Sequence, residues 1–354
     1  MKSQPRQLTR RVMHRYLAAV VIPAMLLISV PAAAGAGGGP SAREGATMAY
    51  DAARGQLVLF GGATASGLAD DTWVWAGVGQ SGLKWKRSHP ASSPPARTNA
   101  VMAYDAGRER VVLFGGLGAS GLLGDTWTWD GQTWRQQSST LSPSARYGAT
   151  MVYDAARGNV VLFGGKAQIT AGNQGDVNDT WVWNGSAWSP VAAAGPPPRH
   201  FAAMAYHAVI EGTVLFGGSD DRGFLRDTWV FDGVAWRSGL FPGPSERERA
   251  SVAYDADCFG ACVMMFGGFG HMDDDGVPER LDDQWMFSGH RPGDGHWGFL
   301  PEPIVPAARY GAAMATHDPS GTIVLFGGSG DSGLLGDTWT WDISAAPSPG
   351  WVQQ

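Results

Sequence analysis

From residue 41 onward the apolar positions fall into short runs separated by polar, glycine-rich breaks. Leu57-Val58-Leu59-Phe60 is continuous, too short for a helix, and closed by Gly61-Gly62. That is the pattern of a strand covered on both faces. Val111-Val112-Leu113-Phe114 repeats it before Gly115-Gly116. Trp73 and Trp75, like Trp127 and Trp129, stand two apart and therefore point to one face of a strand. Asp130-Gly131 and Asn184-Gly185 are tight-turn signals that join such a strand to the next. The pattern predicts antiparallel strands throughout, in units of four.

The units repeat. Gly-Gly pairs begin at residues 61, 115, 164, 217, 267 and 327, spaced by 54, 49, 53, 50 and 60 residues. Seven residues before each Tyr-Asp position stands an arginine: Arg43, Arg97, Arg146, Arg199, Arg247 and Arg309. A period near ~50 with Gly-Gly and tryptophan markers resembles kelch repeats, each of which is one four-stranded propeller blade. The resemblance covers residues 41–354 and implies an all-β, six-bladed β-propeller of four-stranded kelch-type blades. The unit boundaries are about Ser41–Ser88, Pro95–Gln137, Arg146–Pro190, Arg199–Ser238, Arg247–Phe299 and Arg309 to the end. Each blade supplies its own strands in order. Ring closure is therefore expected without a borrowed strand, with side-chain packing alone at the seam.

Residues 1–34 stand outside the repeat. Lys2, Arg6, Arg10, Arg11 and Arg15 precede the apolar Leu17–Val30 and the small-residue stretch Ala32–Ala34, as in a secretory signal peptide. Residues 35–40 read as a flexible lead-in. The expected location is secreted or periplasmic, with no membrane association after cleavage. The whole chain has a formal charge of −6. Without its five N-terminal basic residues it has 21 basic against 32 acidic residues, a charge of −11. A nucleic-acid partner needs a basic footprint, so none is expected.

Alternating strand direction sorts the connections onto two faces. One carries short turns such as Asp105–Arg108. The other carries the longer, unlike segments 166–178, 219–226 and 269–282 together with the repeated arginines. Variable segments on a rigid scaffold are where binding resides. The ligand-binding candidates on this face are Arg97, Asn99, Arg146, Tyr147, Arg199, His200, Arg249 and Tyr310. The arginines recur in every unit, so pairing with the equally repeated Asp71, Asp125, Asp179, Asp227, Asp283 and Asp337 is the simpler role for them. The tryptophans at fixed positions are core residues first.

These features point to a binding module for a protein or carbohydrate ligand, with an anionic group favoured by the local cluster of cations. No cofactor and no metal are called for. The propeller resembles the central domain of galactose oxidase-like enzymes without their copper site, because Tyr206-His207 falls at the ordinary repeat position. The alternative is a sugar-active enzyme similar to exported N-acetylneuraminate mutarotases. There Glu248 would be the acid or base, and Arg247 would hold the sugar carboxylate. His271-Met272-Asp273-Asp274-Asp275-Gly276 resembles a calcium loop only loosely. Cys258 and Cys262, the two cysteines of the chain, flank a short turn and are expected to form a disulfide.

Overall fold

The computed structural model describes residues 38–354 apart from 78–82, 171, 240, 257, 259–260, 272–276, 291–293, 318–320 and 343–349. The expected signal segment 1–34 and most of the acidic loop 271–276 lie outside the described residues. Every regular element among the described residues is a β-strand.

The strands form six antiparallel blades of four strands each, from consecutive chain; in the second and fifth blades a two-residue strand, Arg97–Thr98 and Arg247–Glu248, joins as a fifth. The first contains Thr47–Asp51, Gln56–Phe60, Thr72–Gly77 and Leu83–Ser88; the last contains Ala313–His317, Thr322–Phe326, Thr338–Asp342 and Gly350–Gln353. Innermost strands touch their neighbours in order, and Thr47–Asp51 meets Ala313–His317, so the ring closes. Each sheet face is buried against the next sheet, which is why the second strand of every blade is apolar without alternation. Phe60, Val58, Met102, Leu113 and Trp134 fill one such layer. Met48, Leu59, Trp75, Val324 and Phe326 fill the layer between first and last blades.

A second link accompanies each layer. The fourth-strand tryptophan of one blade donates its indole N–H to the residue that opens the third strand of the preceding blade. Trp134 donates to Thr72 (2.9 Å), Trp188 to Thr126 (2.9 Å), Trp236 to Thr180 (2.9 Å) and Trp297 to Thr228 (3.0 Å). Trp351 donates to Gln284, and Trp85 closes the circle on Thr338 at 2.9 Å.

Among the described residues no extra strand completes the seam, and side-chain packing is not alone there. Arg43 N donates to Leu335 O (2.9 Å), and Gly328 N donates to Arg43 O (2.8 Å). These repeat bonds found at other blade junctions, such as Gly62 N to Arg97 O (2.9 Å).

The Gly-Gly pairs also do more than end a strand. In the second blade one strand, Arg110–Gly118, runs through Gly115-Gly116 with a shift of register and continues as a hairpin above the sheet. Both glycines have positive φ, and a Cβ on Gly115 would stand 2.7 Å from the carbonyl oxygen of Arg146. Only glycine fits this bulge. In the third blade the hairpin is Lys166–Thr170 with Asn173–Asp176, so much of the segment expected as a loop is paired strand. Cys258 and Cys262 are joined in a disulfide beside the turn between the first two strands of the fifth blade.

Candidate functional site

The six repeated arginines are about 1 % exposed. Each guanidinium grips one aspartate with two nitrogens: Arg97 Nη1 and Nη2 lie 2.7 and 2.8 Å from the Asp125 oxygens, Arg146 2.6 and 2.8 Å from Asp179. Nη1 also donates to the first glycine carbonyl of the bulge, and Nε to the carbonyl two residues back, as in Arg97 to Gly115 O and Pro95 O (both 2.9 Å). The same aspartate accepts the indole N–H of the tryptophan two residues on, as Asp125 does from Trp127 at 2.7 Å. Desolvation works to raise the carboxyl pKa of Asp71, Asp125, Asp179, Asp227 and Asp337. The arginine and indole hydrogen bonds outweigh it, and the net direction is down. Arg97, Arg146, Arg199 and Arg247 therefore offer no guanidinium to a ligand. Their assignment as binding residues, and that of Arg247 as a carboxylate holder, is corrected by this burial and bidentate pairing.

The two residues after each arginine build the mouth of the channel. At the second position stand Gly45, Asn99, Gly148, Phe201, Arg249 and Gly311, all with φ between 54° and 64°. Each donates its backbone N–H to the carbonyl of its counterpart in the preceding blade, over 2.7–3.2 Å, so six peptide groups close a ring around the axis. Glycine suits this left-handed backbone; phenylalanine and arginine strain it by roughly 1 kcal/mol or more each. Asn99 turns its amide oxygen over Gly45, and the Phe201 ring lies over Gly148. Below the ring is a narrow cavity of about 180 Å³, lined by these residues and by small ones such as Ala100, Ala149 and Ala250.

Phe201 carries the one strongly placed cation. The Arg249 guanidinium lies 3.8 Å from the centre of the Phe201 ring and 5.5 Å from that of Tyr310. It is 21 % exposed, and its Nε is 3.5 Å from Glu248 Oε1. Tyr310 also meets Arg280 at 5.5 Å and the Phe269 ring at 5.5 Å. Tyr147 stands edge-on to His200, with centroids 6.4 Å apart.

At the first position after the arginine, His200 and Glu248 come together with two residues from the bulge hairpins. His200 pairs by its backbone with Ser219, the first residue after Gly217-Gly218. The Ser219 hydroxyl lies 3.4 Å from His200 Nε2 and donates to Glu248 Oε2, and His200 Nε2 is 4.0 Å from that oxygen. On its other side His200 Nδ1 is 2.8 Å from Asp176 Oδ1, at an angle outside hydrogen-bond geometry. Asp176 is only 5 % exposed, opposite Lys166 on the third-blade hairpin. Desolvation pushes its carboxyl pKa up, and the nearby His200 and Lys166 only partly oppose this. The cluster places a carboxylate, an imidazole, a hydroxyl and a second carboxylate in contact beside a partly exposed guanidinium.

Asn99, Tyr147, His200, Glu248, Arg249 and Tyr310 thus sit on one ring, as their spacing from the arginines indicates. Asp176, Ser219 and Phe201 were not singled out by sequence. Ser219 occupies the residue after Gly-Gly, where the chain also has Ala63, Leu117, Lys166, Phe269 and Ser329. That irregular column pairs with the irregular column after the arginines, which is the signal that finds it. Tyr206 caps a turn by accepting Ala156 N at 3.1 Å, and His207 is fully buried, with its pKa lowered by desolvation. Both belong to the scaffold. His271 contacts Glu246 (3.0 Å), while 272–276 lie outside the described residues.

Residues 130–291 match the family model described as the KLHDC2/KLHL20/DRC7 Kelch-repeats domain. The chain is 36 % identical over 87 residues to tRNA wybutosine-synthesizing protein 4 of Emericella nidulans, a match spanning 23 % of this chain and 8 % of that protein. The solved structure titled "Structure of YjhT" superposes with a TM-score of 0.64 at 14 % identity, covering 89 % of this chain and 99 % of that one, a likeness of fold. With six Arg–Asp–Trp units, six Gly-Gly bulges and the closed ring of blades, this chain is a β-propeller built of kelch-type repeats.

Proposed function

We propose that this chain is an exported kelch propeller that binds an acidic glycan at the channel mouth on its long-loop face. Arg249 carries the reading. It is a cation on a backbone conformation that three other blades give to glycine, held flat against Phe201, and nothing among the described residues takes up its Nη donors. A planar guanidinium with free donors fits a sugar carboxylate. Tyr147, His200 and Tyr310 supply polar and aromatic edges around it, and the cavity below has room for a small group rather than a folded partner. Arg249→Gly restores the residue of the Gly45, Gly148 and Gly311 positions and should leave the fold intact. Titration calorimetry with N-acetylneuraminate should show binding that falls at least about tenfold in this variant, as loss of a charge-assisted contact requires. Unchanged affinity would sink the reading.

The Asp176–His200–Glu248 contact favours a second reading, acid–base chemistry on the bound sugar. Opening a cyclic hemiacetal needs a base to take the proton of the anomeric hydroxyl while an acid protonates the ring oxygen; closure on the other face reverses both transfers. Glu248 and His200 are the two groups placed for it, with Asp176 beside the imidazole Nδ1. NMR exchange between the anomers of N-acetylneuraminate should speed up with the wild type and slow to the uncatalysed rate with Glu248→Gln. Equal rates with and without the wild-type protein would leave binding as the sole function.

A further inference from the structure

The fifth blade departs from the repeat at the outer edge of the same face, and the departures converge on one cleft of about 560 Å³. Where the other blades place Thr72, Thr126, Thr180, Thr228 and Thr338, this blade has Gln284. Its Oε1 performs the threonine's task by accepting the Trp351 indole N–H. Its Nε2, on a side chain about 1 % exposed, has no hydrogen-bond partner among the described residues, and Gln284 is one of the residues that wall the cleft. A buried donor left unmatched is costly unless something else takes it up.

The facing wall is aromatic. Across the third and fourth strands each blade pairs its first tryptophan with a polar residue or proline: Arg87, Gln136, Pro190, Ser238 and Gln353. The fifth blade alone pairs it with an aromatic ring, Trp285 with Phe299, at a centroid distance of 5.3 Å. Phe299 is 55 % exposed. Asp282 and Glu302 add carboxylates at the rim, and among the described residues no cation lines the cleft. The Glu302 carboxyl is raised by desolvation, as expected of an acid set against apolar Leu300 and Val305.

We propose that this cleft is a separate binding site for a neutral sugar ring. The exposed Phe299 ring, inclined at 60° to that of Trp285, takes the apolar face of a pyranose, the Gln284 amide donates to a hydroxyl oxygen, and the two carboxylates accept hydroxyl hydrogens. The uncompensated carboxylates turn away an acidic sugar, so this site and the Arg249 mouth select opposite charges. Its volume is in the range of small-ligand pockets and suits one or two sugar units.

The test uses the full mature chain with cellobiose, maltose and N,N′-diacetylchitobiose, followed by saturation-transfer NMR and titration calorimetry. At least one disaccharide should bind. Phe299→Ala should weaken it roughly tenfold. Gln284→Thr installs the residue of the other five blades, keeps an acceptor for Trp351 and should leave the melting temperature unchanged while weakening binding several-fold. Arg249→Gly should leave disaccharide affinity as it is. The proposal fails if none of the three binds, if Phe299→Ala and Gln284→Thr retain wild-type affinity, or if Arg249→Gly alone abolishes binding. Because the mouth and the cleft are probed by different ligands and variants, failure of one leaves the other standing.

Discussion

Two kinds of arginine sit a few ångströms apart along the chain and do opposite work. Arg247 is sealed against Asp283, whereas Arg249 stands partly in solvent on an aromatic ring. Removing a sealed one leaves a bulge carbonyl and a partly exposed carboxylate without donors. Arg146→Ala is therefore expected to cost about 2–3 kcal/mol, read from urea unfolding; a loss below about 1 kcal/mol would contradict the pairing. Asp176 is the reverse case. Its carboxyl pKa is raised because burial penalises the charged form, so Asp176→Asn should hold or increase the melting temperature while reducing activity or binding at the mouth. A lower melting temperature would show that the charge is structural. At this scale the sequence was a good guide where residues recur, because one Arg–Asp–Trp set explains all six. It was poor for Asp176 and Ser219, whose meaning comes from which irregular positions face each other across a bulge.

Single strands in this fold are short, and each blade is tied to the previous one through the tryptophan near the start of its fourth strand. That bond is buried, so its loss leaves a threonine hydroxyl without its donor. Trp188→Phe keeps most of the packed ring against Phe114 and removes only the donor to Thr126. The expected cost is about 1–2 kcal/mol in equilibrium unfolding. A neutral outcome would mean that packing alone joins the blades. The strand runs were legible from their apolar continuity, and the turns from Asp-Gly and Asn-Gly. The hairpins above the Gly-Gly bulges were not, because residues such as Gln168 and Asn173 carry no strand-like alternation; they pair because the bulge re-aims the chain and the arginine-bearing segment offers an edge.

Across the whole ring the same carboxylate appears five times with its pKa held down: Asp71, Asp125, Asp179, Asp227 and Asp337. For each, the stabilising contribution is complete above the unfolded value near ~3.9 and disappears as pH falls through the lower folded value. Asp51, Asp105 and Asp176 are raised by burial and act oppositely, adding stability at low pH that is lost as pH rises through their folded values. The depressed set is larger and bidentately paired, so the melting temperature should fall steeply below about pH 4. A flat profile from pH 6 to 2.5 would remove the arginine pairs from the account of stability. The count of blades was legible from the Gly-Gly period. The seam's backbone bonds were not, because they join residues nearly three hundred positions apart.

The indole links all run one way, from each blade to the one before it, so no blade contacts a neighbour through the same surface that its other neighbour uses. In the language of assemblies this is a head-to-tail ring, the arrangement of a cyclic hexamer written in one chain. Such a ring has no faces left over when complete and two complementary, sticky ones whenever it is not. A chain released with only some blades made would present a tryptophan donor at one edge and an unmatched threonine at the other, ready to join another such fragment. Closure by Trp85 on Thr338 is the event that ends the hazard.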